Sequence, residues 1–317
     1  MTSRAWGPQA APGTRAPHMI GSVDGSSANY AGADGRARGW LPWGLLLVGV
    51  GAASAGAILV RYAAGAEPLA IAFWRCAAGA AALAPLAAAR LRTRGRGAAP
   101  LPLVAGAFLA AHFATWITSL QLTTVAASVL LVSTTPVFVA LVAWWRGAGL
   151  ARTGWLGIGL ALMGSALVAG GDLGGAALGG NALALLGGAS AAGYVLAGQR
   201  ARRTLGAREY AAATYGVAAA LLGPVCLLGG VPLGGYPAGT WWALAGLVAG
   251  PQLLGHTVLN WVLRDLGATT VATALLLEPL LATALAFALF GEAPTALVYP
   301  GGAAVLAGLY LVARGRP

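Results

Sequence analysis

The chain has 317 residues, of which 58% are hydrophobic and only 9% are charged. Soluble domains average about 25% charged residues, so this composition excludes a globular protein in water and favours a protein surrounded by lipid. The net charge of +11 could suit nucleic acid, but the arginines are spread over separate loops between apolar runs. A nucleic-acid-binding protein would gather them on one soluble face. We therefore predict a membrane protein without a nucleic-acid partner.

The predicted elements begin with residues 1–40, a segment of Gly, Ser, Ala and Pro with scattered charges. This composition predicts a disordered cytoplasmic N-terminal tail. Ten apolar runs follow, each of about 17–25 residues, which is enough to cross about 30 Å of hydrocarbon as a helix. The predicted fold class is an all-α integral membrane protein with ten transmembrane helices. These lie near residues 41–60, 68–89, 100–120, 123–145, 153–170, 180–199, 209–230, 240–262, 267–290 and 296–313.

The loop arginines alternate along the chain, which contains no lysine. The loops on one side are rich in arginine, whereas the opposite loops carry Arg61 with the acids Glu67, Asp172 and Glu292. This alternation is the positive-inside signal, and it places both termini in the cytoplasm. We predict a multi-pass protein of a bacterial plasma membrane. The arginines on the cytoplasmic side are Arg36, Arg38, Arg90, Arg92, Arg94, Arg96, Arg146, Arg152, Arg200, Arg202, Arg203, Arg208, Arg264, Arg314 and Arg316.

One sequence motif occurs twice in the chain. Residues 123–147 and 267–292 are apolar runs, each with an early Thr-Thr pair and a central proline, Pro136 or Pro279. Other residues recur at a spacing of 144 positions, namely His112 and His256, Gly147 and Gly291, Gly157 and Gly301, and Gly164 and Gly308.

A repeat of five helices explains this spacing. Because five is odd, the second copy enters the membrane from the opposite side, so the two halves are inverted, and the arginine pattern independently requires the same. We predict that the repeats cover residues 41–170 and 180–313, with a central cavity between them near the middle of the membrane.

Four stretches carry a resemblance to a known family: EPLAIAFWRCAAG at 67–79, TTP at 134–136, LLLEPLLATALAFALFGE at 275–292 and GGAAVLAGLYLV at 301–312. In this order they resemble the EamA family of the drug/metabolite transporter superfamily, over residues 41–313. Ala148 departs from the family pattern, because the second copy has Glu292 there. The resemblance implies two EamA repeats and export of a small organic solute by alternating access.

An ionisable group inside a membrane span costs free energy, so each such residue is expected to have a functional or structural role. Glu278 precedes Pro279, and a carboxylate beside a proline kink could bind a cation or a proton, or could form a structural pair with Arg75. Arg75 could reach an anionic substrate group, or could extend to the interface near Glu67.

Two polar stripes at helical spacing are predicted to face the cavity. His112, Trp116 and Ser119 form the first, and Gln252, His256 and Asn260 form the second. Hydrogen bonding between helices is the structural alternative. The hydroxyls beside Pro136 are expected to satisfy the helix backbone. No third ligand accompanies the two histidines, so no metal site is predicted. The candidate substrate-binding residues are Arg75, His112, Trp116, Gln252, His256, Asn260 and Glu278, and the kink residues are Pro136 and Pro279.

The function predicted from these features is secondary transport, with a small-molecule substrate and the lipid bilayer as partners. The chain lacks the phosphate-binding loop of ATP-driven proteins, and no cofactor is predicted, although proton coupling through Glu278 or a histidine is a hypothesis. Two alternatives remain at this point, a non-transporting membrane scaffold or sensor and an intramembrane enzyme. The scattered polar groups do not form a nucleophile and base pair, so we predict no enzyme. The sequence leaves homo-oligomerisation open.

Overall fold

The computed structural model describes residues 2, 39–93, 100–123, 125–147, 149–168, 178–290 and 296–314, and these form helices without strands. Most of the predicted tail, together with Ala148, Asp172 and Glu292, lies outside the described residues. The first half contains α1 (Leu41–Ser54), α2 (Gly56–Tyr62), α3 (Pro68–Thr93), α4 (Pro100–Leu122), α5 (Val125–Val132), α6 (Thr135–Trp145) and α7 (Arg152–Val168). The second contains α8 (Leu178–Ala201), α9 (Ala207–Leu228), α10 (Ala238–Leu247), a π-helix (Val248–His256), α11 (Thr257–Ala274), a 3-10 turn (Leu275–Leu277), α12 (Glu278–Phe290) and α13 (Val298–Arg314).

Within the described residues, seven helical segments are long and apolar enough to cross a membrane. The all-helical, multi-pass architecture predicted from the composition is therefore confirmed. The segments are Leu41–Tyr62, Pro68–Ala87, Pro100–Leu122, Ala127–Trp145, Leu178–Ala201, Ala207–Leu228 and Ala238–Ala282.

The longest of these segments is interrupted at Gly267. Its backbone has φ 77° and ψ 164°, a combination that is essentially restricted to glycine. One helix therefore ends at Leu266 and another begins at Ala268, with the 3-10 turn before Glu278 as a further irregularity.

The chain is also interrupted between α5 and α6, here without a positive φ. The helix stops at Ser133 and Thr134, and Pro136 lies in the first turn of α6, where its missing N–H is not needed. Ser133, Thr134 and Thr135 donate hydroxyl hydrogen bonds to carbonyls three or four residues earlier, at 2.7, 2.6 and 2.8 Å. The Thr135 hydroxyl gives the Val132 carbonyl a donor in place of the N–H that Pro136 lacks, whereas the other two carbonyls also accept backbone N–H groups.

Pro251 lies inside the π-helix, a segment in which backbone hydrogen bonds reach one residue further than in an α-helix. Proline lacks the N–H that an α-helix would use at this point. The Gln252 carbonyl accepts hydrogen bonds from the hydroxyls of Tyr215 and Thr257, both at 3.3 Å. The irregular segment therefore keeps its polar backbone satisfied within the protein.

The helices pack in reciprocal pairs across the bundle. The most extensive contacts join α4 to α8, α7 to α13, and α3 to α9, while α1 packs on the π-helix and α11. Their shared core holds fully buried side chains from both halves, among them Val50, Leu109, Phe113, Tyr215 and Leu263.

Helices α7 and α13 approach each other most closely where glycines of the two helices meet. A Cβ on Gly157 would lie 2.7 Å from the Gly308 carbonyl oxygen, and one on Gly164 would lie 2.5 Å from the Gly301 oxygen. Real side chains do not tolerate such distances, so the two backbones touch directly, as in the small-residue contacts of membrane helices.

Candidate functional site

A cavity of about 70 Å³ lies at the centre of the bundle, between the two halves of the chain. At about 30 Å³ per water molecule, this is room for roughly two waters. Six of the seven side chains predicted to form the site line it, and only Gln252 does not. The polar lining consists of Arg75, His112, Trp116, Ser133, Thr135, Tyr194, His256, Asn260 and Glu278.

Arg75 enters the cavity from α3 and is 1% exposed. Its Nε donates to Gln252 Oε1 at 3.3 Å, and its guanidinium carbon lies 4.0 Å above the centre of the Phe113 ring. A cation over an aromatic face is stabilised most where water is excluded. The guanidinium is therefore held in the interior and does not extend to the interface near Glu67.

Gln252 is completely buried and acts on the cavity through Arg75. The sequence analysis placed Gln252 on one stripe with His256 and Asn260 by assuming α-helical spacing. The π-helix changes that spacing, since its turns are wider than 3.6 residues, so Gln252 faces α3 while His256 and Asn260 line the cavity.

The two histidines of the repeat meet in the cavity, with ring centres 6.4 Å apart. His112 Nδ1 lies 3.0 Å from the Gly187 carbonyl oxygen. Because a carbonyl only accepts, Nδ1 carries the proton, and Nε2 of the neutral ring is left as an acceptor. Trp116 stacks parallel to His112, at 5.9 Å between ring centres.

Ser119, the third member of the first predicted stripe, takes no part in the cavity. Its hydroxyl donates to the Trp116 carbonyl at 2.6 Å and lies 2.7 Å from Ser128 Oγ. This residue joins α4 to α5, as the packing alternative expects for an interhelical hydroxyl.

Tyr194 is the cavity residue that the sequence analysis missed. Its hydroxyl donates to Asn260 Oδ1 at 2.7 Å, which fixes the plane of the amide. A signal was present in the repeat, because GASAAGYVL at 188–196 resembles GAASAGAIL at 51–59 and has Tyr194 where the first copy has Ala57. A large polar residue in place of alanine marks a position where the two copies differ in structure.

Glu278 follows the 3-10 turn, is half-buried and lines the same cavity as Arg75. Within the described residues its carboxylate makes no hydrogen bond or ion pair, so it is available to a donor from outside. Pro279 comes next in α12, and Pro136 is buried at the start of α6. Both prolines are placed beside helix irregularities that adjoin the cavity.

Three buried donors of the cavity have no hydrogen-bond partner in the described part of the chain: Arg75 Nη1, Trp116 Nε1 and Asn260 Nδ2. Leaving a buried donor unpaired costs about 1–3 kcal/mol, and more when the group is charged. Native proteins keep such groups rarely and for a reason. The cavity thus offers several donors to an acceptor-bearing guest, with Glu278 as an acceptor in the same space.

Comparison with known proteins decides the family. The profile described as the EamA-like transporter family matches residues 40–170 and again 178–314. The chain belongs to the EamA-like transporter family. The resemblance seen in the sequence is thereby confirmed, and the members of this family are membrane transporters.

Solved structures show the same fold. A chain titled "Crystal structure of protein" superposes with a TM-score of 0.72, covering 86% of this EamA chain and 96% of its own length at 18% identity. No curated protein sequence matches the chain.

Replacing Tyr194 with phenylalanine tests how Asn260 is held in this EamA protein. The variant loses the hydrogen bond at 2.7 Å, so we expect about 1 kcal/mol lower stability and a several-fold weaker solute affinity with little change in maximal rate. Unfolding midpoints and the concentration dependence of flux measure the two effects. Tyr299→Phe is the control, since Tyr299 is 72% exposed. An unchanged affinity would show that Asn260 needs no support from Tyr194.

Proposed function

We propose that the chain is a secondary transporter that exports small organic solutes, such as amino acids, other metabolites or drug-like compounds, by alternating access. The observation that carries this proposal is the buried central cavity with its unpaired donors on Arg75, Trp116 and Asn260. A scaffold would have no use for buried donors that cost stability. A transporter needs them, because its solute must bind and then leave.

The proposed architecture has ten transmembrane helices in two inverted five-helix repeats, over residues 41–170 and 180–313. The glycine contacts support it. In the repeat, Gly157 corresponds to Gly301 and Gly164 to Gly308, and this exchange converts the Gly157–Gly308 contact into the Gly164–Gly301 contact. A two-fold axis relating the halves requires such reciprocity.

The small volume of the cavity supports a closed state. Sites for drug-sized ligands measure about 300–1,000 Å³, whereas this cavity measures about 70 Å³. In this proposal the halves move apart to admit a solute, as alternating access requires. We place the arginine-rich loops and both termini on the cytoplasmic side of the plasma membrane.

The lining favours a solute with two kinds of polar group. Arg75, Trp116 and Asn260 present donors, which suit an oxyanion or another strong acceptor. Glu278 presents a carboxylate, which suits an ammonium or another donor. A small zwitterion satisfies both ends, and the stacked rings of His112 and Trp116 offer an apolar wall beside them.

Flux measurements in proteoliposomes test the proposal. Purified protein is reconstituted and screened against amino acids, organic anions and cationic drugs, with expression-dependent resistance in cells as a parallel readout. We expect saturable flux of at least one solute class, and the same solute should raise the unfolding temperature of the purified protein. Uniformly negative flux and no stabilisation by any class would contradict a transport function.

Glu278 is the proposed site of proton coupling. We expect wild-type flux to respond to a pH gradient across the proteoliposome and Glu278→Gln to lose that response while still binding solute, because the amide cannot exchange a proton. Glu67→Gln, an exposed carboxylate of the loop before α3, is the matched control. If Glu278→Gln keeps the wild-type gradient dependence, coupling occurs elsewhere.

A further inference from the structure

A second cavity lies on the arginine-rich side of the bundle, separate from the central one. Its volume is about 150 Å³, or roughly five water molecules at about 30 Å³ each. The last turns of α6 and α8 form its walls, together with the residues that follow Gly267. Its polar lining consists of Arg146, Gln199, Arg200, Arg203 and Thr269.

Three guanidinium groups face this space, and no acidic side chain is among the residues that line it. The side chains of Arg146 and Arg200 make no hydrogen bond or ion pair within the described residues. Like charges collected around one cavity repel one another unless an anion lies between them. The exposed charges of Arg146 and Arg200 therefore have no acidic partner within the described residues.

Other arginines of the same face are already used by the protein. Arg264 lies 3.8 Å from an Asp265 carboxylate oxygen. Arg202 donates to the backbone carbonyl of Asn260 at 2.9 Å, and also to that of Leu205. These side chains have internal roles, which distinguishes them from Arg146 and Arg200.

The break at Gly267 brings Thr269 to this cavity. A Cβ on Gly267 would lie 3.4 Å from Gln199 Nε2, so the Gln199 amide covers the break. The positive φ of Gly267 interrupts the helix. The next helix begins at Ala268, beside the ends of α6 and α8. A hydroxyl and an amide thereby join the three guanidinium groups as hydrogen-bonding partners.

We propose that this cavity binds a phosphate group, carried either by an anionic phospholipid or by a soluble phosphate. A guanidinium presents a planar fork of donors that matches the paired oxygens of a phosphate. Basic pockets between membrane helices at the positive-inside face are suited to lipid headgroups. The site is distinct from the central cavity, and it does not depend on the proposed transport function.

A phosphate here would connect the two halves of the chain. Arg146 directly follows α6 in the first half, whereas Arg200, Arg203 and Thr269 belong to the second half. A ligand that binds only the folded arrangement stabilises it in proportion to the logarithm of its concentration over its dissociation constant. Binding should therefore appear as a rise in unfolding temperature that continues logarithmically above the dissociation constant, while the occupancy of the site saturates.

The test uses the purified full-length protein in two arms, with the unfolding temperature and native mass spectrometry as readouts. In the first arm, inorganic phosphate is titrated in an uncharged detergent against chloride at equal ionic strength. In the second, phosphatidylglycerol is compared with phosphatidylcholine in mixed micelles. The variants are Arg200→Gln and the double variant Arg146→Gln with Arg200→Gln, and the control is Arg264→Gln on the same face.

We expect stabilisation with saturable occupancy by native mass spectrometry in at least one arm, with the apparent affinity at least about tenfold weaker in the double variant and unchanged in Arg264→Gln. Stabilisation by phosphate identifies a soluble ligand, and stabilisation by phosphatidylglycerol alone identifies a lipid headgroup. The proposal is overturned if neither ligand gives both stabilisation and saturable occupancy, or if the double variant and Arg264→Gln respond as the wild type does. Should the double variant misfold, Arg200→Gln alone decides, with an expected loss in the same direction.

Discussion

Replacing Arg75 with glutamine is expected to reduce solute flux by about 100-fold or more while the protein still inserts and folds. The variant removes the cavity's guanidinium, which donates to Gln252 and stacks over Phe113. Hydrogen bonds to charged groups contribute about 1.5–3 kcal/mol, and a 100-fold loss corresponds to about 2.7 kcal/mol. Glutamine keeps a donor for Gln252, so the loss should fall on solute binding more than on folding.

Two further variants separate charge from geometry at this position. Arg75→Lys keeps the positive charge but loses the planar fork, so we expect partial flux with weaker solute affinity. Arg264→Gln is the control for removal of one arginine, since that side chain is 51% exposed and pairs with Asp265. If Arg75→Gln transports as well as Arg264→Gln with a normal unfolding midpoint, Arg75 has no direct part in transport.

The length of the apolar runs was the most reliable signal of structure in the sequence. Lipid allows only segments that satisfy their own backbone, so hydropathy and helix limits coincide closely. The run predicted near 100–120 became α4 (Pro100–Leu122), and the one near 68–89 became α3 (Pro68–Thr93). The run near 240–262 was less regular, because Pro251 converts its middle to a π-helix and the helical structure continues to Gly267.

The sequence predicted many of the residues of the site, but it did not predict how they are arranged in space. Ionisable residues in lipid stand out by their cost, and the repeat paired His112 with His256. The contact between Arg75 and Gln252 spans 177 residues, and it depends on how α3 meets the π-helix. No local sequence pattern predicts how these two helices pack. The hydrogen bond from Tyr194 to Asn260, which lies 66 residues away, could not be predicted for the same reason.

Gly157→Val is expected to destabilise the protein by about 1–3 kcal/mol or more, as overpacking in a close interface does. Its Cβ would lie 2.7 Å from the Gly308 carbonyl oxygen and 2.9 Å from Leu311 Cβ, so α7 and α13 would have to separate. Unfolding midpoints in detergent measure the effect. Gly159→Val is a matched control two residues away on α7, since nothing lies within 4 Å of its added Cβ.

The variant Gly308→Val tests the same contact from the α13 side. A Cβ on Gly308 would lie 2.5 Å from the Gly157 carbonyl oxygen, so a loss of similar size is expected. Combining Gly157→Val with Gly308→Val should cost less than the sum, because the first substitution already separates the helices that the second would separate. Full additivity, or an equal loss in Gly159→Val, would contradict a direct backbone contact. A sub-additive result would instead identify the α7–α13 seam as one shared contact, placed where the proposed two-fold axis relates the two halves.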